Sequence, residues 1–118
     1  MAVYKIAGKI VSIKTNKDFK RVYGKGKTKV TPYFVVYWNK NRLPYSRLGI
    51  AVSKKIGGAV VRNRAKRVLK EAYRLLPQPV KTGYDFILVA RVKTPMQKSF
   101  FIKDKLHMLL LNDGMLKI

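Results

Sequence analysis

The chain has 118 residues, a length that gives one domain burying roughly two thirds of the surface its unfolded form exposes. Hydrophobic residues make up 47% of it, with seven Tyr, five Phe and one Trp, which excludes a disordered polycation. Lys and Arg number 27 against 5 Asp and Glu; at a net charge of +22 the compact state repels itself unless a polyanion neutralises it, and a nucleic acid is the expected partner.

In chain order, Met1 to Ile13 mixes Lys5 and Lys9 with short apolar pairs and lacks the apolar run and cleavage site of a secretion signal, so a cytoplasmic protein is expected. Thr15 to Tyr23 reads as a helix: Thr15 and Asp18 have capping-box spacing, and Phe19, Val22 and Tyr23 recur at helical intervals. Gly24 and Gly26 are expected to stop it, and Lys25 to Lys29 to form a basic turn. Tyr33 to Trp38 is β-branched and aromatic throughout, a strand with Tyr33, Val35 and Tyr37 on one face and Phe34, Val36 and Trp38 on the other. Asn39 to Ser46 reads as a turn. Arg47 to Ser53 alternates again, with Leu48, Ile50 and Val52 inward and Gly49, Ala51 and Ser53 opposite; the two strands are expected to pair as a hairpin.

From Gly58 to Leu76 the period becomes helical, and Pro77 and Pro79 end it. On a helical wheel Val61, Ala65, Val68, Leu69, Ala72, Leu75 and Leu76 share an arc expected to face the sheet. The other face carries Arg62, Asn63, Lys66, Arg67, Lys70 and Arg74, with Glu71 at its edge in reach of Arg67 or Arg74. Tyr84 to Val92 is nearly all apolar, as a central strand is, and Ser99 to Leu111 closes the chain as a helix with Ile102, Leu106, Leu109 and Leu110 inward. The expected architecture is a single-domain α+β fold, an α/β sandwich in the order helix, hairpin, helix, strand, helix, with residues 1–118 forming one RNA-binding domain.

A solvated helix face normally mixes charges of both signs, and this one does not. Guanidinium forks grip phosphate through two parallel bonds and lysine acts as a point charge, so the face suits an RNA backbone, with Lys54 and Lys55 extending the patch. Basic helices of this kind also occur in ribosomal and DNA-binding proteins. The string VSKKIGGAVVRNRAKRVLKEAYR, residues 52–74, is more specific: it resembles the signature of the bacterial ribonuclease P protein component, a strand ending in Lys-Lys, a Gly-containing turn and the Arg-Asn-Arg helix. IKTNKDFKRVYGKG resembles the first helix of that family, YFVVYW its cleft strand and DFILVAR its late strand, while the closing helix matches by pattern alone. Gly58 stands where the family often has a polar residue, and Lys70-Glu71 where it often has Arg followed by Glu or Gln.

The resemblance implies a ribonuclease P protein-like fold and a holoenzyme in which a large RNA hydrolyses a phosphodiester with bound Mg²⁺, trimming the 5′ end of precursor tRNA with help from the protein. It implies that Lys54, Lys55, Arg62, Asn63, Arg64, Lys66 and Arg67, with Lys70 and Arg74 on the same face, contact the ribonuclease P RNA. It implies further that the single-stranded 5′ leader lies in a cleft at Phe19, Tyr23 and Tyr37, with Lys20 and Arg91 as charge partners. Aromatic stacking beside cations is how single strands are held without sequence preference. Phe19 and Tyr23, one helical turn apart, also fit a plain core reading.

Other classes are excluded or disfavoured. The five acidic residues, Asp18, Glu71, Asp85, Asp104 and Asp113, are scattered over separate elements, which rules against a protein-borne two-metal nuclease; no protein metal site is expected. His107 is the single histidine and has no partner for acid-base work, and no phosphate loop of P-loop type or small-molecule cofactor site is present. The absence of Cys removes disulfides and thiolate chemistry. No apolar run approaches the ~20 residues that span a bilayer and no juxtamembrane basic cluster is present, so membrane lipid is the weaker polyanion. A non-catalytic RNA-binding protein such as a ribosomal protein is the rival from another class, and a DNA-reading helix lacks a partner helix and a dimer element.

Overall fold

In the computed structural model the described residues are 10–117, so the reading of Met1 to Lys9 lies outside them. Helix α1, Asn16–Lys25, starts at the expected cap: the Thr15 hydroxyl accepts from the Asp18 N–H at 3.1 Å. The Asp18 carboxylate does not complete the box but turns to Arg21 and Arg47. The helix also runs through Gly24, and Gly26 alone caps it, its N–H reaching the Val22 carbonyl. A Cβ on Gly26 would lie 2.5 Å from the Val22 carbonyl oxygen and 2.7 Å from that of Trp38, so this close approach of helix end to strand requires glycine.

The expected basic turn is instead strand β1, Lys27–Val30, an exposed edge strand antiparallel to β2, Phe34–Lys40. Its lysines suit an edge, where charge discourages further pairing. Within β2 the faces alternate, with Phe34, Val36 and Trp38 buried, but Tyr33, expected beside Val35 and Tyr37, precedes the strand and packs instead on the core side against Phe101. The strand also runs to Lys40 and shortens the expected turn. Strands β3, Arg47–Ala51, and β4, Tyr84–Ala90, complete a sheet of order β1-β2-β4-β3, with β4 antiparallel to β2 and parallel to β3. The expected hairpin between β2 and β3 is therefore corrected: β4, apolar on both faces, separates them, and the fold's hairpin is β1-β2. Residues adjacent in sequence lose here to the strand that gains most from burial. The outer edge of β3 is covered by the chain before α1, through Ile13 N–H to Leu48 O at 3.0 Å and Leu48 N–H to Val11 O at 2.8 Å.

A 3₁₀ turn, Lys54–Ile56, leads into α2, Ala59–Arg74, which ends before Pro77; α3, Ser99–Asn112, follows β4. Both pack on one face of the sheet, where Phe34, Val36, Trp38, Leu48, Phe86 and Leu88 meet Ala65, Leu69, Ala72, Leu76, Ile102, Leu106 and Leu110. The apolar arc of α2 is shared between sheet and α3, and Val61 and Leu75, expected inward, lie at its ends and stay 39% exposed. On the other face of the sheet α1 covers a smaller cluster of Ile13, Val22 and Ile87, with Phe19, Tyr37, Ala51 and Val89 packed around it. The α+β sandwich thus has α2 and α3 on one side and α1, leaving part of the sheet open, on the other.

Candidate nucleic-acid interfaces

Because the inner arc of α2 is fixed by the core, its basic residues point outward. Lys54, Lys55, Asn63, Arg64, Lys66, Arg67, Lys70 and Arg74 are exposed, and Arg62 is half-buried, its Nε–H covered without a hydrogen-bond partner among the described residues. Glu71, the acid of this helix, pairs with Arg74, whose Nε–H donates to Oε1 at 2.9 Å, and this bond holds the Glu71 carboxyl below the usual carboxylate range. Arg74 is thereby partly neutralised. The rest of the face carries positive charge without an acidic partner among the described residues. Lys70 sits at the β3 side of the helix and, with Phe19, Gly49 and Ile10, borders a shallow cavity of about 220 Å³.

On the opposite side, α1 and the sheet bring Phe19, Tyr23 and Tyr37 together. The Phe19 and Tyr23 rings are 6.3 Å apart and tilted, and Tyr23 meets Tyr37 edge to face at 4.9 Å. Phe19 rests on β3: a Cβ on Gly49 would lie 2.6 Å from its Cζ, so the glycine makes room for the ring. Phe19 is thus half core and half wall. Tyr23 is 40% exposed, and burial, followed by the neighbouring Tyr37, raises its hydroxyl above the ordinary tyrosine value, keeping it a neutral hydrogen-bonding group. Lys20 is exposed on the same helix. Arg91, two residues beyond Val89 and on the same face by alternation, is exposed at the end of the sheet, its guanidinium donating to the Thr31 carbonyl at 3.0 Å.

What orients α1 is a charge network that sequence reasoning missed. Asp85, fully buried in β4, accepts from Arg47 Nε at 2.8 Å and Nη2 at 2.7 Å, from Arg21 Nη2 at 2.9 Å and from Asn41 Nδ2 at 2.8 Å. Arg21 Nη1 and Arg47 Nη1 also reach Asp18, at 3.0 and 3.3 Å. The Thr15 hydroxyl first, then the charges of Arg47 and Arg21, lower the Asp18 carboxyl against the opposing effect of burial; Asp85 raises Arg47. The signal was a lone aspartate inside an apolar strand, YDFILVA, which must find partners when buried. These guanidinium and amide donors saturate the two carboxylates, and among the described residues no group of three or more His, Cys, Asp or Glu is placed to hold a metal ion. The described side chains do not fit an Mg²⁺ site. His107 is structural, its ring Nε2–H donating to Gln78 Oε1 at 2.8 Å.

The family model for Ribonuclease P matches residues 8–112. This chain belongs to the ribonuclease P protein family. The ribonuclease P protein component of Thermoanaerobacter sp. strain X514 is 44% identical over 103 residues, covering 87% of this chain and 89% of that one. That of Clostridioides difficile strain 630 is 48% identical over 83 residues, 70% of this chain and 73% of the relative. Among solved structures, the Staphylococcus aureus RNase P protein superposes with a TM-score of 0.77 at 34% identity, covering 92% of this chain and 100% of the other; that of Thermotoga maritima gives 0.73 at 33%, covering 84% and 94%. A ribonuclease P protein is a subunit of an RNA-based endoribonuclease that matures the 5′ end of tRNA, and its partner is the ribonuclease P RNA. Among the described residues no helix is long and apolar enough to cross a membrane.

Proposed function

We propose that the chain divides its work between the two sides of the sheet. The outward face of α2, with Arg62, Asn63, Arg64, Lys66, Arg67, Lys70 and Arg74 and the neighbouring Lys54 and Lys55, docks the ribonuclease P RNA. The cleft at Phe19, Tyr23 and Tyr37, with Lys20 and Arg91, receives the single-stranded leader of precursor tRNA. The observation that carries this reading is the placement of an acid-poor basic face and an aromatic cleft on opposite sides of one sheet, so that one protein can touch both RNAs at once.

The described carboxylates are engaged by donors or scattered, which supports placing the catalytic Mg²⁺ on the RNA, where it would supply metal-assisted phosphodiester hydrolysis. The protein adds binding energy for the leader and cationic charge between crowded phosphates. Residues 1–118 act as one RNA-binding domain, and the bacterial cytoplasm, where tRNA is made, is its compartment.

Tyr37→Ala separates the cleft from general RNA affinity. Loss of one stacking group costs about 1–3 kcal/mol, so the holoenzyme should bind precursor tRNA at least several-fold more weakly while its affinity for mature tRNA, which has no leader, is unchanged. Equal losses on both would overturn the cleft assignment.

A further inference from the structure

At the end of the sheet where β2 begins and β4 finishes, turned to the α3 side rather than the cleft side, lies a second aromatic and cationic group that the cleft does not use. The rings of Tyr33 and Phe101 meet edge to face at 4.9 Å. Lys93 Nζ lies 5.9 Å from the centre of the Tyr33 ring, and Lys105 Nζ lies 5.2 Å from that of Phe101. Both rings are anchored against the core beneath α3, so each ammonium is held over a fixed base rather than free in solvent.

The turn after β4 ties this group to the cleft. Fully buried Thr94 accepts from the Arg91 N–H at 2.8 Å and donates its hydroxyl proton to the Tyr33 carbonyl, while the Arg91 guanidinium grips the Thr31 carbonyl. Arg91, Lys93 and Tyr33 therefore form one braced rim. None of Arg91, Lys93 and Lys105 has a carboxylate partner among the described residues; Asp104, the acid next to Lys105, pairs with Lys103. At the other end of the sheet Arg21 of α1 and Arg47 of β3 are engaged by Asp18 and Asp85. A strand of phosphates leaving the cleft past Arg91 meets uncompensated charge, and Phe100, 57% exposed beside Phe101 in the chain, presents a ring on which a base can stack.

We propose that the leader track continues past Arg91 onto this rim, where Lys93 and Lys105, braced by Tyr33 and Phe101, contact the phosphates of leader nucleotides that lie beyond the cleft. The ligand is single-stranded polyribonucleotide continuous with the strand in the cleft, and the proposal rests on the reading that the leader occupies that cleft. Pre-placed ammoniums lose little freedom on binding, which is what lets two exposed cations contribute measurably.

The test is holoenzyme affinity for precursor tRNAs whose leaders are lengthened one nucleotide at a time, with wild-type protein, with a Lys93→Ser, Lys105→Ser double variant, and with a Lys40→Ser, Lys81→Ser double variant that removes the same charge at the opposite end of the sheet. With short leaders all three proteins should bind alike, which also shows the variants folded. As the leader outgrows the cleft, wild type and control should gain affinity while the rim variant stops gaining, ending about fivefold to tenfold weaker. A rim variant that follows wild type at every length overturns the proposal and leaves the cleft intact. If wild type itself fails to distinguish precursor from mature tRNA, the cleft reading falls and this one with it.

Discussion

Asp85 is the lone acidic residue in an otherwise apolar strand, and it is accommodated there because four donors from Arg47, Arg21 and Asn41 surround its two oxygens. Removing one member of such a buried group leaves the others uncompensated. Asp85→Asn should therefore cost about 3–5 kcal/mol in urea unfolding, and a midpoint within error of wild type would contradict the network's role. Asp18, with the exposed Glu71, contributes to the pH dependence. Its carboxyl is held below the ordinary value of 3.8, so the unfolded chain takes up the proton first as pH falls. The stabilisation is present above that value and is lost as pH drops through the lower folded one; Asp18→Asn should flatten the acid limb of the stability curve below about pH 4, and an unchanged limb would count against it. The need for a partner was legible in YDFILVA, but Arg47 and Arg21 stand 38 and 64 residues away, beyond any local pattern.

At the scale of elements, α2 was the most legible part because its period and its charge agree: the core set Ala65, Leu69, Ala72 and Leu76, and the same residues set the basic face. Arg67 is exposed on that face without an acidic partner among the described residues, whereas Arg74 is held by Glu71. Arg67→Ala should weaken ribonuclease P RNA binding and reduce the slope of log affinity against log salt by about one, with Arg74→Ala doing less; an unchanged slope for Arg67→Ala would show that it touches no phosphate. The sheet was less legible. KTKV has too much charge to read as a strand until its place at an edge is known, and the pairing of β3 with β4 rather than β2 depends on α2 carrying the chain across. In the cleft, Phe19 and Tyr23 fitted either core or platform by spacing, and Gly49 beneath the Phe19 ring shows why Phe19 is partly both.

For the whole molecule, a net charge of +22 on 118 residues is a cost when the protein is free and an advantage on RNA. In the proposed division of work, α2 faces outward on one side of the sheet and the aromatic cleft opens on the other, an arrangement in which anchoring to one RNA leaves the strand of another unobstructed. The most direct measurement is cleavage of precursor tRNA by ribonuclease P RNA at limiting Mg²⁺, with and without the purified protein. The account predicts that leader removal is slow with RNA alone, rises when wild-type protein is added, and rises far less with an Arg64→Ala, Arg67→Ala variant; an equal rate in all three reactions would contradict it.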